Sequence, residues 1–307
     1  MNVTLGLEKY EGTDPAVVTV GTFDGIHLGH VKLIGTVVEI AKQKQMTSTV
    51  MTFDPHPKTV VAQRTTEKFR LLTNLEEKLG LLQDLDLSQV VVAKFTREFS
   101  ELDYQSFVRD ILLNRLRTKV LVVGHDHAFG KDRAGNISAL ETLSRKYGFQ
   151  LVEVGPFRIG NKTVSSTAIR KLIADGEVQE AAVMLGRLYA LTGVVSRGEG
   201  RGRALTYPTA NLAVHNNAKL IPRGGVYAVD CRLRTDVIRG MANIGYKPTF
   251  GGVNKTLEVH LIGFEGDIYG EQLRIEFLKR LRDEKKFNSE NELIEQLAKD
   301  KQQSINL

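Results

Sequence analysis

Two histidines spaced three apart behind a glycine-rich turn are the first residues of this chain suited to chemistry. They close the stretch Val20-Gly21-Thr22-Phe23-Asp24-Gly25-Ile26-His27-Leu28-Gly29-His30. An apolar, β-branched run at residues 16–20 precedes it and a helical pattern opens at residues 31–34, which predicts strand, turn and helix in that order. A helix N-terminus presents unpaired N–H groups and a partial positive charge, and Gly21, Gly25 and Gly29 put no side chain in the way of a phosphate. His27 and His30 fall on one helix face, where imidazoles can donate to a phosphate whose charge is moving onto a bridging oxygen. His-x-Gly-His by itself is a helix start with solvated histidines. The strand and the glycines around it favour a phosphate site.

Three more polar stretches follow apolar runs. Thr52-Phe53-Asp54-Pro55-His56-Pro57 follows residues 47–51, and Gly124-His125-Asp126-His127-Ala128-Phe129-Gly130-Lys131 follows residues 119–123. In Val164-Ser165-Ser166-Thr167-Ala168-Ile169-Arg170, hydroxyls suited to a helix cap precede an arginine in the first turn. Each alone reads as a plain turn or cap. Their joint placement on one predicted sheet rim favours a site.

In the last third, Gly198-Glu199-Gly200-Arg201-Gly202-Arg203 leads to Tyr207-Pro208-Thr209-Ala210-Asn211. Such a glycine-rich segment can offer backbone N–H groups to a diphosphate, and Thr209 and Asn211 are neutral oxygen ligands suited to Mg²⁺. It is not a Walker A motif, because Gly-x-x-x-x-Gly-Lys-Ser/Thr is absent. Further on, strand alternation places Leu257, Val259 and Leu261 on one face and Glu258 and His260 on the other.

The elements that must carry these residues fall into two textures. Strands are predicted at residues 16–20, 47–53, 90–95, 119–124 and 150–154, with helices at 74–85, 103–116 and 138–147 between them. That alternation gives an α/β, doubly wound parallel sheet with ligands at the carboxyl ends of its strands. Helical sequence at 168–174 and 177–185 follows. From Tyr189 onward, short strands at 190–196, 225–233, 237–244, 256–263 and 272–278 are divided by glycines, which suggests a small antiparallel barrel. A helix over 289–301, capped by Asn288 or Ser289, should pack on it through Leu293, Ile294 and Leu297. Two domains are expected, residues 1–185 and 186–307.

Composition narrows the class. With 307 residues, 42% hydrophobic and 25% charged, the chain has material for two soluble globular domains. The single cysteine, Cys231, excludes an intramolecular disulfide or thiolate cluster, and no basic region followed by an apolar core opens the chain. A cytoplasmic enzyme is expected, with no membrane partner because no apolar run reaches 18 residues. The net charge of +6 is scattered, without Trp or a basic block interleaved with aromatics, so we expect small phosphorylated ligands and not nucleic acid. Homo-oligomerisation is left open.

Gly-x-Phe-Asp-Gly-x-His-x-Gly-His resembles the nucleotidyltransferase superfamily. With Phe-x-Pro-His-Pro, Gly-x-Asp-x-x-Phe-Gly and Ser-Ser-Thr-x-Ile-Arg in that order, the first domain is similar to the adenylyltransferase half of the bacterial bifunctional riboflavin kinase/FAD synthetase family. The resemblance implies a Rossmann-like domain in which His27, His30, His56, Ser165 and Arg170, with Gly21, Phe23, Asp24 and Gly29, meet ATP. Asp126 and Phe129 would line the ATP and flavin sites; His125 and His127 stand where aromatic residues are common. Pro-Thr-Ala-Asn, Asn243-Ile244-Gly245 with Lys247-Pro248-Thr249, and Leu257-Glu258-Val259-His260 likewise resemble the riboflavin kinase domain, a six-stranded barrel. That resemblance implies that Gly198, Gly200, Gly202 and Arg203 bind ATP, that Thr209 and Asn211 hold Mg²⁺ and phosphates, that Glu258 is the base, and that Arg274 contacts flavin. Thr206 departs from the usual glycine. Riboflavin, FMN and FAD are then substrates and products, with ATP as co-substrate.

Overall fold

The structure, a computed structural model, describes residues 1–61, 69–125, 130, 135–197, 207–214, 218–249 and 252–307. Two compact units divide at the start of a helix, Met1–Ser166 and Thr167–Leu307.

The first unit opens with β1 (Asn2–Leu5), β2 (Ala16–Val20), α1 (Leu28–Lys44) and β3 (Thr47–Asp54). The short α2 (Pro57–Val61), then α3 (Leu75–Gln83), β4 (Gln89–Lys94), α4 (Arg97–Ser100) and α5 (Tyr104–Ser106) come next. After β5 (Thr118–Gly124), α6 (Ile137–Tyr147) and β6 (Gln150–Val154), a small hairpin of β7 (Arg158–Ile159) and β8 (Lys162–Thr163) leads out. The strands form one parallel sheet in the order β1-β4-β3-β2-β5-β6. Strand alternation puts Ala16, Val18 and Val20 against Phe107, Leu112 and Leu140 on one face, while Val17 packs with Val37 and Ala41 of α1 on the other. Apolar side chains on both sheet faces are what a doubly wound parallel sheet requires.

Three local readings are revised. β1 extends the sheet by pairing with β4, where no strand was expected. Residues 103–116 were expected as one α-helix, but α5 runs into a π-helical stretch, Phe107–Arg115, with Leu116 N–H donating to Ile111 O at 2.9 Å. Phe107, Val108 and Leu112 of this stretch are buried in the core. His56 is followed by the single-turn α2, which begins at Pro57, a position that suits proline because the first helical N–H needs no partner.

The second unit begins with α7 (Ser166–Asp175) and α8 (Val178–Leu185). Then come β9 (Tyr189–Ser196), β10 (Ala210–Val214), β11 (Gly225–Leu233), β12 (Asp236–Thr249), β13 (Gly252–Leu261), β14 (Gln272–Arg282) and α9 (Glu290–Ile305). Among the described residues the six strands close an antiparallel barrel in the order β10-β13-β12-β11-β14-β9. Leu191, Tyr227, Val229, Cys231, Ala242, Ile244, Val259, Ile275 and Phe277 are fully buried in it. Burial pushes the Cys231 thiol up to about 12, so this sulfur is a core atom and not a nucleophile. Closure removes sheet edges, which a barrel this small would otherwise expose.

Ser289 caps α9 as expected, accepting from Glu292 N–H. Its docking is more polar than the expected apolar stripe, since Ile294 is exposed while Asp300 and Ser304 are buried. Arg282 of β14 donates Nε and Nη2 to Asp300, and Arg239 of β12 donates to Ser304 O at 2.8 Å.

Candidate functional site

In the parallel sheet, chain connections leave β2 toward β3 on one side and β5 toward β6 on the other. The crevice at the carboxyl ends of β2 and β5 is thus the topological switch point, where such sheets bind ligands. The glycine-rich turn follows β2 there, and His125 is the described residue just beyond β5. Asp126 and Phe129 lie outside the described residues.

The turn is strained. Phe23, Gly25 and Ile26 all have positive φ, at 46°, 90° and 36°. Two of these are non-glycine residues in a region costing about 1–3 kcal/mol each, a cost found where backbone must be aimed at a ligand. His27 then caps α1: its Nδ1 accepts from His30 N–H at 3.3 Å. An accepting Nδ1 leaves the proton of a neutral ring on Nε2, a donor as phosphate chemistry needs. The rings of His27 and His30 stack with centroids 3.6 Å apart, and Phe23 meets His30 edge-on at 5.1 Å. A Cβ at Gly29 would sit 3.2 Å from the His27 ring, so this glycine gives the imidazole its seat.

Asp24 has a different surrounding from that expected of a ligand facing nucleotide. Its carboxylate is 1% exposed and accepts from Leu72 N–H, Thr73 N–H and the Thr73 hydroxyl. Gly25 N–H donates to Thr73 Oγ1 at 3.0 Å. The residues just ahead of α3 are thereby stitched to the turn. Asp24→Ala leaves these buried donors without that acceptor and should lower stability by about 2–4 kcal/mol, read from the urea unfolding of the first unit. An unchanged transition would contradict the anchor.

His56 stands after β3, beside β2. It is buried, its Nδ1 accepts from Lys58 N–H at 3.1 Å, and its ring lies on Phe69 at 4.6 Å. Ser166, next to the predicted Ser165, donates its hydroxyl to Asp24 O at 2.8 Å. Arg170 is half-buried in the first turns of α7.

On the barrel, register builds a second site. Asn211 of β10 lies directly opposite Glu258 of β13, which lies opposite Asn243 of β12. Paired residues share a face, so these three side chains form one polar row on the outside of the barrel. The row continues to Ser196 on one side and ends on the other at buried Val226. Thr209 comes two residues before Asn211. Neutral oxygens beside one carboxylate, with no thiolate or imidazole cluster among the described residues, suit Mg²⁺, which keeps waters and shares phosphate oxygens.

Asn243 joins Glu258 only through strand pairing, whereas the Arg282 guanidinium is taken up by Asp300 of α9. His260, on the same strand face as Glu258, has a positioning task. It is 8% exposed and its Nδ1 lies 2.9 Å from Pro208 O, so Nδ1 donates and holds the residue before Thr209. Burial lowers its pKa, opposed by this bond and aided by Lys301. Arg274 is not brought into the row. It stands opposite Thr192, four residues along β9 from Ser196, and its Nε donates to Glu276 at 3.1 Å. Gly198, Gly200, Gly202, Arg203 and Thr206 lie outside the described residues, as does His127.

Comparison with known proteins finds a match for each domain. The FAD synthetase family model matches residues 9–168 and the riboflavin kinase model residues 185–307. A bifunctional riboflavin kinase/FMN adenylyltransferase from Bacillus subtilis (strain 168) is 39% identical over 94% of this chain and 92% of its own. One of the same name from Escherichia coli (strain K12) is 36% identical, covering 92% and 90%. A crystal structure described as a macrolide-efflux protein from Streptococcus pneumoniae matches over 100% of both chains, with a TM-score of 0.92 and 31% identity. Efflux is that protein's description; among the described residues here, no helix is long and apolar enough to cross a membrane. With both domain models matched in order and these relatives aligned over nearly their whole length, the chain belongs to the bifunctional riboflavin kinase/FMN adenylyltransferase family.

Proposed function

We propose that the two sites act in sequence on one flavin: the barrel phosphorylates riboflavin to FMN, and the parallel-sheet domain adenylylates FMN to FAD with release of pyrophosphate. The observation that carries this reading is the pairing of Asn211 with Glu258 on a kinase-type barrel, in a chain whose sheet switch point holds the His27–His30 pair. ATP is the donor in both steps. We assign residues 1–185 to the adenylyltransferase and 186–307 to the kinase; α7 and α8 fall mostly between the two matched segments and belong by compactness to the second unit.

In the kinase, Glu258 takes the proton of the ribityl hydroxyl as its oxygen attacks the γ-phosphorus, and Thr209 and Asn211 would hold Mg²⁺ with the nucleotide phosphates. When bound, Mg²⁺ supplies charge neutralisation for those phosphates. Gly198, Gly200, Gly202 and Arg203 complete the ATP contacts. In the adenylyltransferase the acceptor phosphate of FMN is already ionised, so no base is needed. His27 and His30 donate to the phosphates that become pyrophosphate, and His56, Ser165 and Arg170 add contacts. Gly21, Phe23, Asp24 and Gly29 shape the turn, while Asp126 and Phe129 line the flavin and ATP sites. Neither step requires a covalent intermediate. A cytoplasmic setting accords with the lone, buried Cys231.

Asn211→Ala tests the kinase assignment. It should raise the Mg²⁺ and ATP requirement of riboflavin phosphorylation by about tenfold or more, at about 1.4 kcal/mol per decade, while FAD formation from supplied FMN stays parental. Unchanged Mg²⁺ dependence of the kinase step would refute it.

A further inference from the structure

A buried lysine lies beneath the strained turn of the first unit, and neither reaction employs it. Lys78 of α3 is 5% exposed. Its Nζ donates to Thr52 Oγ1 at 3.2 Å and reaches Phe53 O at 3.4 Å. The Thr52 hydroxyl donates in turn to Thr22 O at 3.2 Å. One ammonium group therefore holds the last residues of β3, just ahead of His56, and through a single hydroxyl holds the turn that leads to His27 and His30.

Burying a cation is costly, and an apolar side chain of similar size would pack more favourably in the same space. Burial, the largest influence, lowers the Lys78 pKa, while Asp24 and Asp54 oppose it. A core-filling role does not account for a group bonded in this way. Asp24 fixes the residues ahead of α3, and Lys78 fixes the helix itself, so α3 is fastened to both sides of the β2–β3 rim. Resting on the assignment of this unit as the adenylyltransferase, we propose that Lys78 is a positioning residue of adenylyl transfer: its bond to Thr52 sets the spacing between His56 and the His27–His30 pair across the ATP phosphates. It touches no reacting atom. Its effect is exerted through the two segments it joins.

The test uses the full-length chain with Lys78→Met, Thr52→Val and the double variant, measuring adenylyl transfer to supplied FMN and riboflavin phosphorylation on the same preparations. A misplacement of about an ångström can cost 10²-fold, so each single variant should lower adenylyl-transfer kcat about 10- to 100-fold, with the FMN KM within about twofold and the kinase rate parental. Because both residues act through one path, the double variant should be within about threefold of the worse single one. Parental adenylyl transfer in either single variant would overturn the proposal, as would losses that multiply in the double. A fall in kinase rate matching the fall in adenylyl transfer would also overturn it, by showing a general structural role. Thr52→Val, isosteric and uncharged, keeps the test intact if Lys78→Met does not fold. If the parental chain itself makes no FAD from FMN and ATP, the underlying assignment fails, an outcome separate from all of these.

Discussion

Glu258→Gln should lower kinase kcat by about 10² to 10⁴, the range supplied by a general base, or roughly 2.7 to 5.4 kcal/mol at about 1.36 per decade. The ribityl hydroxyl is a poor nucleophile while it keeps its proton, and glutamine is nearly isosteric but cannot accept that proton. Glu258 stands between Asn211 and Asn243 in adjoining strands, so its carboxylate is set beside Asn211, which is assigned to metal and phosphate. The loss should fall on kcat, with ATP KM little changed, because the proton transfer belongs to the transition state. FAD synthesis from supplied FMN should remain parental. Kinase kcat within about threefold of parental would return Glu258 to a solvated polar face.

His30→Ala should lower adenylyl transfer by about 10² to 10³, the usual loss on removing one preorganised donor. His30 is held from two sides, by the stacked His27 ring and the edge of Phe23, so its imidazole is fixed before ATP arrives. Such fixation is what makes a donor effective, since no reorganisation is then needed as charge develops. Riboflavin phosphorylation should survive unchanged. FAD formation from FMN at the parental rate would remove the histidine pair from the mechanism. The two variants are thus expected to be mirror images, each silencing one activity and sparing the other.

What could be read from the chain was local. The turn from Gly21 to His30, its flanking strand and helix, and the alternation around Glu258 are each contained within about a dozen residues, where periodicity and glycine placement are informative. The parallel-sheet and barrel classes followed from the order and spacing of such segments. What depended on partners distant in sequence was not legible. β1 is four residues long with Val3 and Leu5 exposed, and only its pairing with β4 makes it a strand. The hold of Asp24 on Leu72 and Thr73 spans 48 and 49 residues and leaves no pattern in the sequence. Asn243 enters the row of Glu258 through strand register, while Arg274, opposite Thr192, does not. The π-helical stretch has no signature of its own because its apolar spacing also fits an α-helix. Likewise α9 carries an apolar stripe, but its buried contacts are an arginine–aspartate pair and a serine.

That one chain performs both steps in order is tested most directly by chromatography of products over time from riboflavin, ATP and Mg²⁺ with the full-length protein. FMN should appear first and then give way to FAD, with one ADP and one pyrophosphate released for each FAD formed. Accumulation of FMN without FAD would contradict the assignment of the parallel-sheet domain, and absence of FMN and ADP would contradict that of the barrel.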